Sequence, residues 1–481
     1  MATSLKKNIF FNILLNIANV IFPLVSAPYI ARTLGSEALG LCNFATTYVG
    51  YFTIFAALGL NAYGVREIAK VKNSPNQTED LFRELFTLSL ISTFIVSLFF
   101  LATIFLIPQI NTNITLFLIA GILLYTQPFN IEWFFMGAEK FGYITFRSIL
   151  VKTITISLLF IFVKGKSDIY YYVIILSLAT VLNQIWNLIA LNKYGIKIRL
   201  KLKNSKHHLK YLSIFAGAAI ATSAYNYIDV LMLGFFSELR EVAFYTNATH
   251  ITKLIISIIG SIAIVGLPRI ANLYINKQYN EINAIINRSI SLVSFISFPV
   301  CFSIFLLSSA FVPLFFGDDF TDGAITLKIM SIIVILIGFS YVFSTMTLVA
   351  MGKEKVALKS TIIGSIVNII SNFILIPKYG SSGAAIASVL AELIILIYKV
   401  KNVYDYFPFI HINKNVIIKN LCLSSICFII YFTLKDTIYD WPLIFIYGVI
   451  LLILYMLLQI AFGNIITLDT LKIFINKYKK L

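Results

Sequence analysis

The sequence predicts an all-α, polytopic membrane protein with about 14 transmembrane helices, and three observations support this fold class. Hydrophobic residues make up 59% of the 481 positions, whereas charged residues make up only 12%. Mean hydropathy is +0.89, and a soluble domain of this size needs more charge to cover its surface. The apolar residues form runs of roughly 20, the length that crosses a bilayer as a helix. A soluble enzyme, a secreted domain and a disordered chain are therefore excluded.

Apolar runs between charged residues or Pro and Gly breaks give fourteen predicted spans. The first follows Lys6 and Lys7, as a signal peptide would. It is too long for a signal sequence and has no obvious small-residue cleavage site, so we assign it as the first helix. The spans are 9–30, 41–62, 84–107, 115–136, 146–163, 169–191, 211–236, 242–267, 290–316, 325–350, 357–377, 382–400, 416–434 and 441–463.

The distribution of basic residues predicts the orientation of these spans. The N-terminus, every second connection with the span ends next to it, and the C-terminal tail together carry 28 Lys and Arg, whereas the alternate connections carry 6. Because cytoplasmic loops collect Lys and Arg, both termini are predicted to be cytoplasmic, in a multi-pass protein of the cytoplasmic (inner) membrane. The net charge of +17 is then explained by insertion, and we expect no nucleic acid partner.

Short sequence matches indicate an internal duplication. Met136–Lys140 recurs as Met351–Lys355, 215 positions later. Two weaker matches, around Arg66 and Arg269 and between Leu34-Gly35 and Leu233-Gly234, follow in the same order. They predict two pseudo-symmetric six-helix lobes in the same orientation, an architecture typical of transporters. The predicted domains are an N-terminal lobe at 1–200, a second lobe at 201–404, and two additional helices with a basic tail at 405–481.

Basic side chains within or near the ends of the spans predict a cavity of positive potential. An ionisable side chain in mid-bilayer costs about 2.5–3.5 kcal/mol on insertion scales, so those retained usually face a cavity. Such a cavity suits an anionic cargo with phosphate or diphosphate groups. Alternatively, the lysines snorkel or pair with carboxylates and the arginines are positive-inside anchors. The candidate substrate-binding residues are Arg32, Arg66, Lys152, Lys253 and Arg269.

Two carboxylates in the spans, Glu132 and Asp229, are candidates for balancing these charges or for carrying a coupling ion, H⁺ or Na⁺. The sequence contains no GxxxxGK[ST] motif and no HExxH motif, and no catalytic set stands out. We therefore expect neither an enzyme nor a cofactor or metal site.

The segments Pro28–Gly35, Leu58–Ala69 and Trp133–Gly137 resemble the bacterial polysaccharide-transport family, the Wzx-type flippases of O-antigen and capsule repeat units. This family belongs to a superfamily that also contains the lipid II flippase and the multidrug and toxin extrusion antiporters. The resemblance implies movement of undecaprenyl-diphosphate-linked oligosaccharides from the cytoplasmic to the outer leaflet. It also implies that Arg32 and Arg66, with Arg269 as the repeat partner, engage the anionic cargo. Further candidate partners are a glycan polymerase and a chain-length regulator.

Two other functions fit the same features. A cation-coupled multidrug antiporter would use Asp229 or Glu132 as its central group and would not need Arg32. A non-transporting scaffold would recruit glycan assembly enzymes and would move no lipid-linked sugar.

Overall fold

The structure, a computed structural model, describes residues 5–201, 205–434 and 441–462. Over these ranges every regular element is a helix, which confirms the predicted all-α membrane fold. The chain forms two compact units, residues 1–243 and 244–481. The predicted lobe boundaries near residues 200 and 404 remain a prediction.

The first unit contains ten complete helices and the start of an eleventh among its described residues. They are α1 (Leu5–Ala57), α2 (Leu60–Val71), α3 (Pro75–Leu106), α4 (Pro108–Asn111), α5 (Ile114–Ala120), α6 (Ile122–Tyr125), α7 (Glu132–Gly137), α8 (Phe141–Phe162), α9 (Ile169–Leu191), α10 (Ser205–Phe236) and the first residues of α11 (Leu239–Ile275).

The second unit contains the rest of α11 and five more helices in its described part. They are α12 (Tyr279–Phe316), α13 (Ala324–Tyr341), which continues as a π-helix (Val342–Val349), α14 (Glu354–Tyr406), α15 (Lys414–Leu434) and α16 (Trp441–Ala461).

The described helices account for the fourteen predicted spans. Nine helical stretches in the described ranges are long and apolar enough to cross a membrane. Two of them contain two spans each, because α1 is broken at Gly35 (φ 79°) and α14 at Gly380 (φ 51°). Helices α10, α15 and α16, with 32, 21 and 21 residues, supply the other three. Both glycines have a positive φ that other residues rarely adopt, so the chain turns back there.

The fourth predicted span is not one helix. Residues 114–137 form α5, α6, a short 3₁₀ turn at Gln127–Phe129 and α7. Pro128 lies inside the 3₁₀ turn and cannot donate a backbone hydrogen bond, which favours a break at this point. Glu132 therefore lies in the first turn of a short separate helix rather than deep inside a continuous span.

An aromatic core holds α2, α3 and α7 together in the first unit. The Trp133 indole stacks on the Phe82 ring at 5.6 Å and covers Gly64, where a Cβ atom would lie 2.6 Å from the indole. Trp133 and Phe82 are fully buried. This core fixes the positions of Glu132 and Arg66 on α7 and α2.

Two helix ends next to the strongest sequence match have the same backbone pattern. After α7, the Lys140 N–H donates to the Phe135 carbonyl at 2.9 Å, and Glu139 has φ 59°. After the π-helix, the Lys353 N–H donates to the Leu348 carbonyl at 2.7 Å. This is the Schellman pattern, which places a left-handed residue just beyond a helix. The two lysines are 213 positions apart, whereas the sequence match has an offset of 215 positions.

The two lysines also have equivalent surroundings. The Lys140 ammonium lies 5.7 Å from the centre of the Tyr194 ring, and the Lys353 ammonium lies 4.2 Å from that of Tyr406. The weakest sequence match has no such support. Gly35 breaks α1, whereas Gly234 lies within α10 against Phe44, whose ring would be 2.1 Å from an added Cβ.

Candidate functional site

A buried arginine forms the centre of a polar cluster in the first unit. Arg147, the seventh residue of α8, has a side chain that is only 2% exposed. Its guanidinium donates to the Glu132 carboxylate and to the Asn187 amide oxygen. The Tyr143 hydroxyl donates to the same amide oxygen at 3.2 Å and to the Trp186 carbonyl at 3.1 Å. Three helices, α7, α8 and α9, are thereby joined through one side chain.

This cluster gives Glu132 an ion-pair partner that the sequence analysis did not assign to it. The Glu132 side chain is 39% exposed, so one side of the carboxylate remains accessible. Because Glu132 pairs with Arg147, the alternative in which it neutralises Lys152 does not apply in this structure.

Lys152 lies at the middle of a membrane span. It is the twelfth of the 22 residues of α8, whereas the predicted span 146–163 placed it near one end. Its side chain is partly buried, and the ammonium lies 5.9 Å from the centre of the Phe22 ring on α1. Among the described residues, no carboxylate lies within 4 Å of the Lys152 ammonium.

Arg32 is on the neighbouring helix but at a different depth. Helices α1 and α8 run parallel, since the Thr145 hydroxyl donates to the Phe11 carbonyl and, further along both helices, the Tyr29 hydroxyl donates to the Val163 carbonyl at 2.6 Å. Arg32 follows Tyr29 by one turn and is exposed. Ten residues separate it from Phe22, which corresponds to about 15 Å along the helix. Arg32 is therefore near the end of α8, and Lys152 near its middle.

Arg66 lies on α2 among aromatic rings. Its guanidinium is 5.2 Å from the ring centre of Tyr63 and 5.0 Å from that of Phe215 on α10, and it pairs with Glu67 at 2.7 Å. The Arg66 side chain is 45% exposed. Cation–π contacts and an exposed ion pair leave its charge available to a further anion.

The structure does not bring Lys253 and Arg269 together. Both are exposed on α11 in the second unit, and sixteen residues between them correspond to about 24 Å along the helix. Asp229 lies on α10 in the first unit and is 6% exposed. The five predicted basic residues thus belong to separate places within the two units.

Three further ionisable groups are buried, and none of them is among the site residues predicted from sequence. Glu84 and His208 form a buried pair in the first unit, with 3.1 Å between Nε2 and the carboxylate. Lys399 on α14 is 8% exposed and donates to the Ser340 hydroxyl at 2.7 Å, although it had been counted as a basic residue of a connection. Only the long span of α14, which runs to Tyr406, could have revealed the burial of Lys399.

Two family models match this chain. A family model described as "Polysaccharide biosynthesis protein" matches residues 5–274. A second model, described as "MatE", matches residues 215–374.

Curated relatives match most of the chain. A protein of Escherichia coli strain K12 named "Putative O-antigen transporter" is 27% identical over 401 residues, which cover 82% of this chain and 95% of that protein. A Shigella dysenteriae protein of the same name is 25% identical over 403 residues, covering 83% of this chain and all of that protein.

Solved structures share the fold. The lipid II flippase MurJ in an inward closed conformation matches with a TM-score of 0.76 and 16% identity, over 95% of this chain and 100% of that one. An inward-facing multidrug resistance transporter of the MATE family matches with a TM-score of 0.60 and 17% identity, over 81% and 94%. At these identities the likeness shows the fold alone.

Proposed function

Because the chain belongs to the family of polysaccharide biosynthesis proteins, whose model matches more than half of it, we propose that it is a lipid-linked oligosaccharide flippase. Its cargo is an undecaprenyl-diphosphate-linked repeat unit of O-antigen or capsule type. The protein moves this cargo from the inner to the outer leaflet of the cytoplasmic membrane by alternating access. The relatives named as O-antigen transporters support this class of cargo.

The single observation that carries the proposal is the position of Lys152. A cation halfway along a 22-residue span is expensive in lipid and is usually retained for a function. A diphosphate crossing the bilayer needs a positive group at this depth, because its own charge is costly to remove from water. Arg32, exposed near the break of α1 at Gly35, and Arg66, exposed on α2, can bind the same group before and after it passes Lys152.

A cavity in the second unit offers a place for the lipid. It has a volume of about 340 Å³ and lies between α12, α15 and α16, with Phe302, Phe428 and Leu451 among its lining residues. The lining is almost entirely apolar, so it suits a polyprenyl chain better than a sugar. This assigns the two C-terminal helices a role in holding the lipid.

Surface glycan in a deletion strain tests the proposal. Lys152→Ala should abolish the glycan while the protein still inserts, and Lys152→Arg should restore at least part of it because the charge remains. Lys166→Ala, which removes an exposed lysine just beyond the end of α8, should leave the glycan normal.

Normal glycan with Lys152→Ala would contradict the proposed role of this lysine. If neutralising Asp229 abolished drug resistance while the glycan stayed intact, the antiporter would be the better description. If the purified protein moved no labelled lipid-linked sugar, the non-transporting scaffold would be the better description.

A further inference from the structure

The segment that follows α9 is fastened to one face of α3. The Lys197 N–H donates to the Glu79 carboxylate at 3.1 Å, and the Lys197 carbonyl accepts from the Arg83 Nε at 3.1 Å. The Lys201 N–H donates to the Thr87 hydroxyl at 2.9 Å. Glu79, Arg83 and Thr87 are spaced by four residues, so they share one face of α3. We refer to residues 194–201 as the strap.

The end of the strap belongs to a cluster of five linked polar side chains. The Lys201 ammonium lies 2.9 Å from Asp80 and 3.4 Å from one carboxylate oxygen of Glu84. The other oxygen of Glu84 lies 3.1 Å from His208 Nε2. The His208 Nδ1 lies 2.7 Å from the Tyr63 hydroxyl. This cluster connects the strap, α3, α10 and α2.

Among the described residues, charged and titratable groups on α2, α3, α10 and the strap lie around the central pair. The side chains of Glu84 and His208 are 8% and 11% exposed, whereas the adjacent His207 is exposed. The groups around the imidazole are Tyr63 and Arg66 with Glu67 on α2, Glu84 and Asp80 on α3, Lys201 on the strap, and His207, Lys210 and Tyr211 on α10 itself.

The geometry accepts both protonation states of the imidazole. A neutral His208 donates from Nε2 to Glu84 and accepts from the Tyr63 hydroxyl at Nδ1. A protonated His208 donates from both nitrogens, and its bond to the Glu84 carboxylate becomes charge-assisted, which makes it roughly twice as strong. Proton uptake therefore tightens the connection between α10 and α3 without moving an atom far.

We propose that Glu84 and His208 form a proton-binding site that fastens the strap and the first turns of α10 to α3 when it is occupied. Loss of the proton weakens the bond to Glu84, and the pair of Glu84 with Lys201, which is 26% exposed, is then in contact with solvent. The strap and the start of α10 then detach more often. The site differs from the carboxylates Glu132 and Asp229 and works whatever the cargo is.

Limited trypsin cleavage of the full-length protein in detergent measures strap release directly, because the strap contains Lys197, Arg199 and Lys201. Each variant is compared with wild type at the same pH, which cancels the pH dependence of trypsin itself. At about pH 6, His208→Gln should be cleaved in the strap about tenfold faster than wild type, since it lacks the charge-assisted bond. At about pH 8, where an imidazole is ordinarily neutral, the proposal expects the two rates to become similar.

His207→Gln is the matched control, since it removes the exposed neighbouring imidazole, and it should follow wild type at both pH values. Glu84→Gln keeps the shape of the side chain and should behave as His208→Gln does. The proposal would be overturned if the cleavage rate of His208→Gln, divided by that of wild type, were the same at both pH values. It would also be overturned if His207→Gln were cleaved faster than wild type at about pH 6 but not at about pH 8. Because no transport is measured, failure here leaves the proposed flippase function untouched.

Discussion

At the scale of single residues, two cations on α8 have opposite surroundings. Arg147 is enclosed and paired, whereas Lys152, five residues later, is partly buried beside an aromatic ring. Five residues turn an α-helix by about 500°, which places the two side chains roughly 140° apart. One face of α8 is therefore part of the folded core, and the other carries the charge that we assign to the cargo.

The ion pair between Arg147 and Glu132 should respond unequally to the loss of each partner. Arg147 is 2% exposed and Glu132 39%, so Glu132→Ala leaves a buried charge, whereas Arg147→Met leaves a partly solvated one. We expect Glu132→Ala to destabilise the protein by about 3 kcal/mol and Arg147→Met by clearly less. Thermal unfolding of the purified variants in detergent measures this difference. Greater destabilisation by Arg147→Met would contradict it.

The left-handed residues at the two equivalent helix ends give a second residue-scale prediction. Glu139 occupies the position that Gly352 occupies in the second unit. A left-handed conformation costs a non-glycine residue about 1–2 kcal/mol, whereas the exposed pair of Glu139 with Lys72 contributes about 0.2–1 kcal/mol. Glu139→Gly should therefore leave the melting temperature equal or higher, and Gly352→Ala should lower it. A clearly lower melting temperature for Glu139→Gly would show that the ion pair with Lys72 contributes more than the left-handed conformation costs.

At the scale of helices, close approach at glycine decides how α2 and α7 pack. A Cβ at Gly64 would lie 2.6 Å from the Trp133 indole, whereas a Cβ at Gly50 on α1 meets no atom within 4 Å. Gly64→Ala should separate α2 from α7 and destabilise the protein by about 1–3 kcal/mol. Gly50→Ala should be neutral or slightly stabilising, since alanine favours a helix. Equal melting temperatures for the two variants would contradict this packing.

The cavity next to α16 gives a second prediction for a helix. Gly448 lines this cavity, and a Cβ added there meets no atom of the described residues within 4 Å. Gly448→Phe should fill the space without unfolding the helix, and it should slow movement of a long polyprenyl-linked sugar. Gly448→Ala should have little effect because most of the volume remains. An undiminished rate with Gly448→Phe, measured in liposomes, would remove the cavity from the lipid path.

How far the sequence predicts the helices depends on how each one ends. The spans on either side of Gly35 and Gly380 were separated correctly, because charged residues or Pro and Gly mark those turns. The break in the fourth span was missed, because its residues are as apolar as those of a continuous helix. The ionisable pair of Glu84 and His208 was also missed, since 124 residues separate its members and no local pattern connects them.

At the scale of the whole molecule, composition alone was sufficient to establish an all-α membrane protein. The duplication that the sequence matches indicate stays a prediction. The two helix ends next to the strongest match share a left-handed residue, which is a glutamate in the first unit and a glycine in the second. The residues predicted to bind cargo remain predictions, and Lys152 has the position that demands a function most strongly.

Transbilayer movement of a fluorescent polyprenyl-diphosphate oligosaccharide in liposomes containing the purified protein tests the central claim most directly. Without protein, a quencher added outside the liposomes should reach only the fluorescent lipid of the outer leaflet. With the wild-type protein, it should reach nearly all of the fluorescent lipid. Lys152→Ala should slow this movement, and a matched lipid-linked sugar without the diphosphate should move poorly. Equal rates for the charged and uncharged lipids, or no movement with wild type, would contradict an electropositive path for an anionic head group.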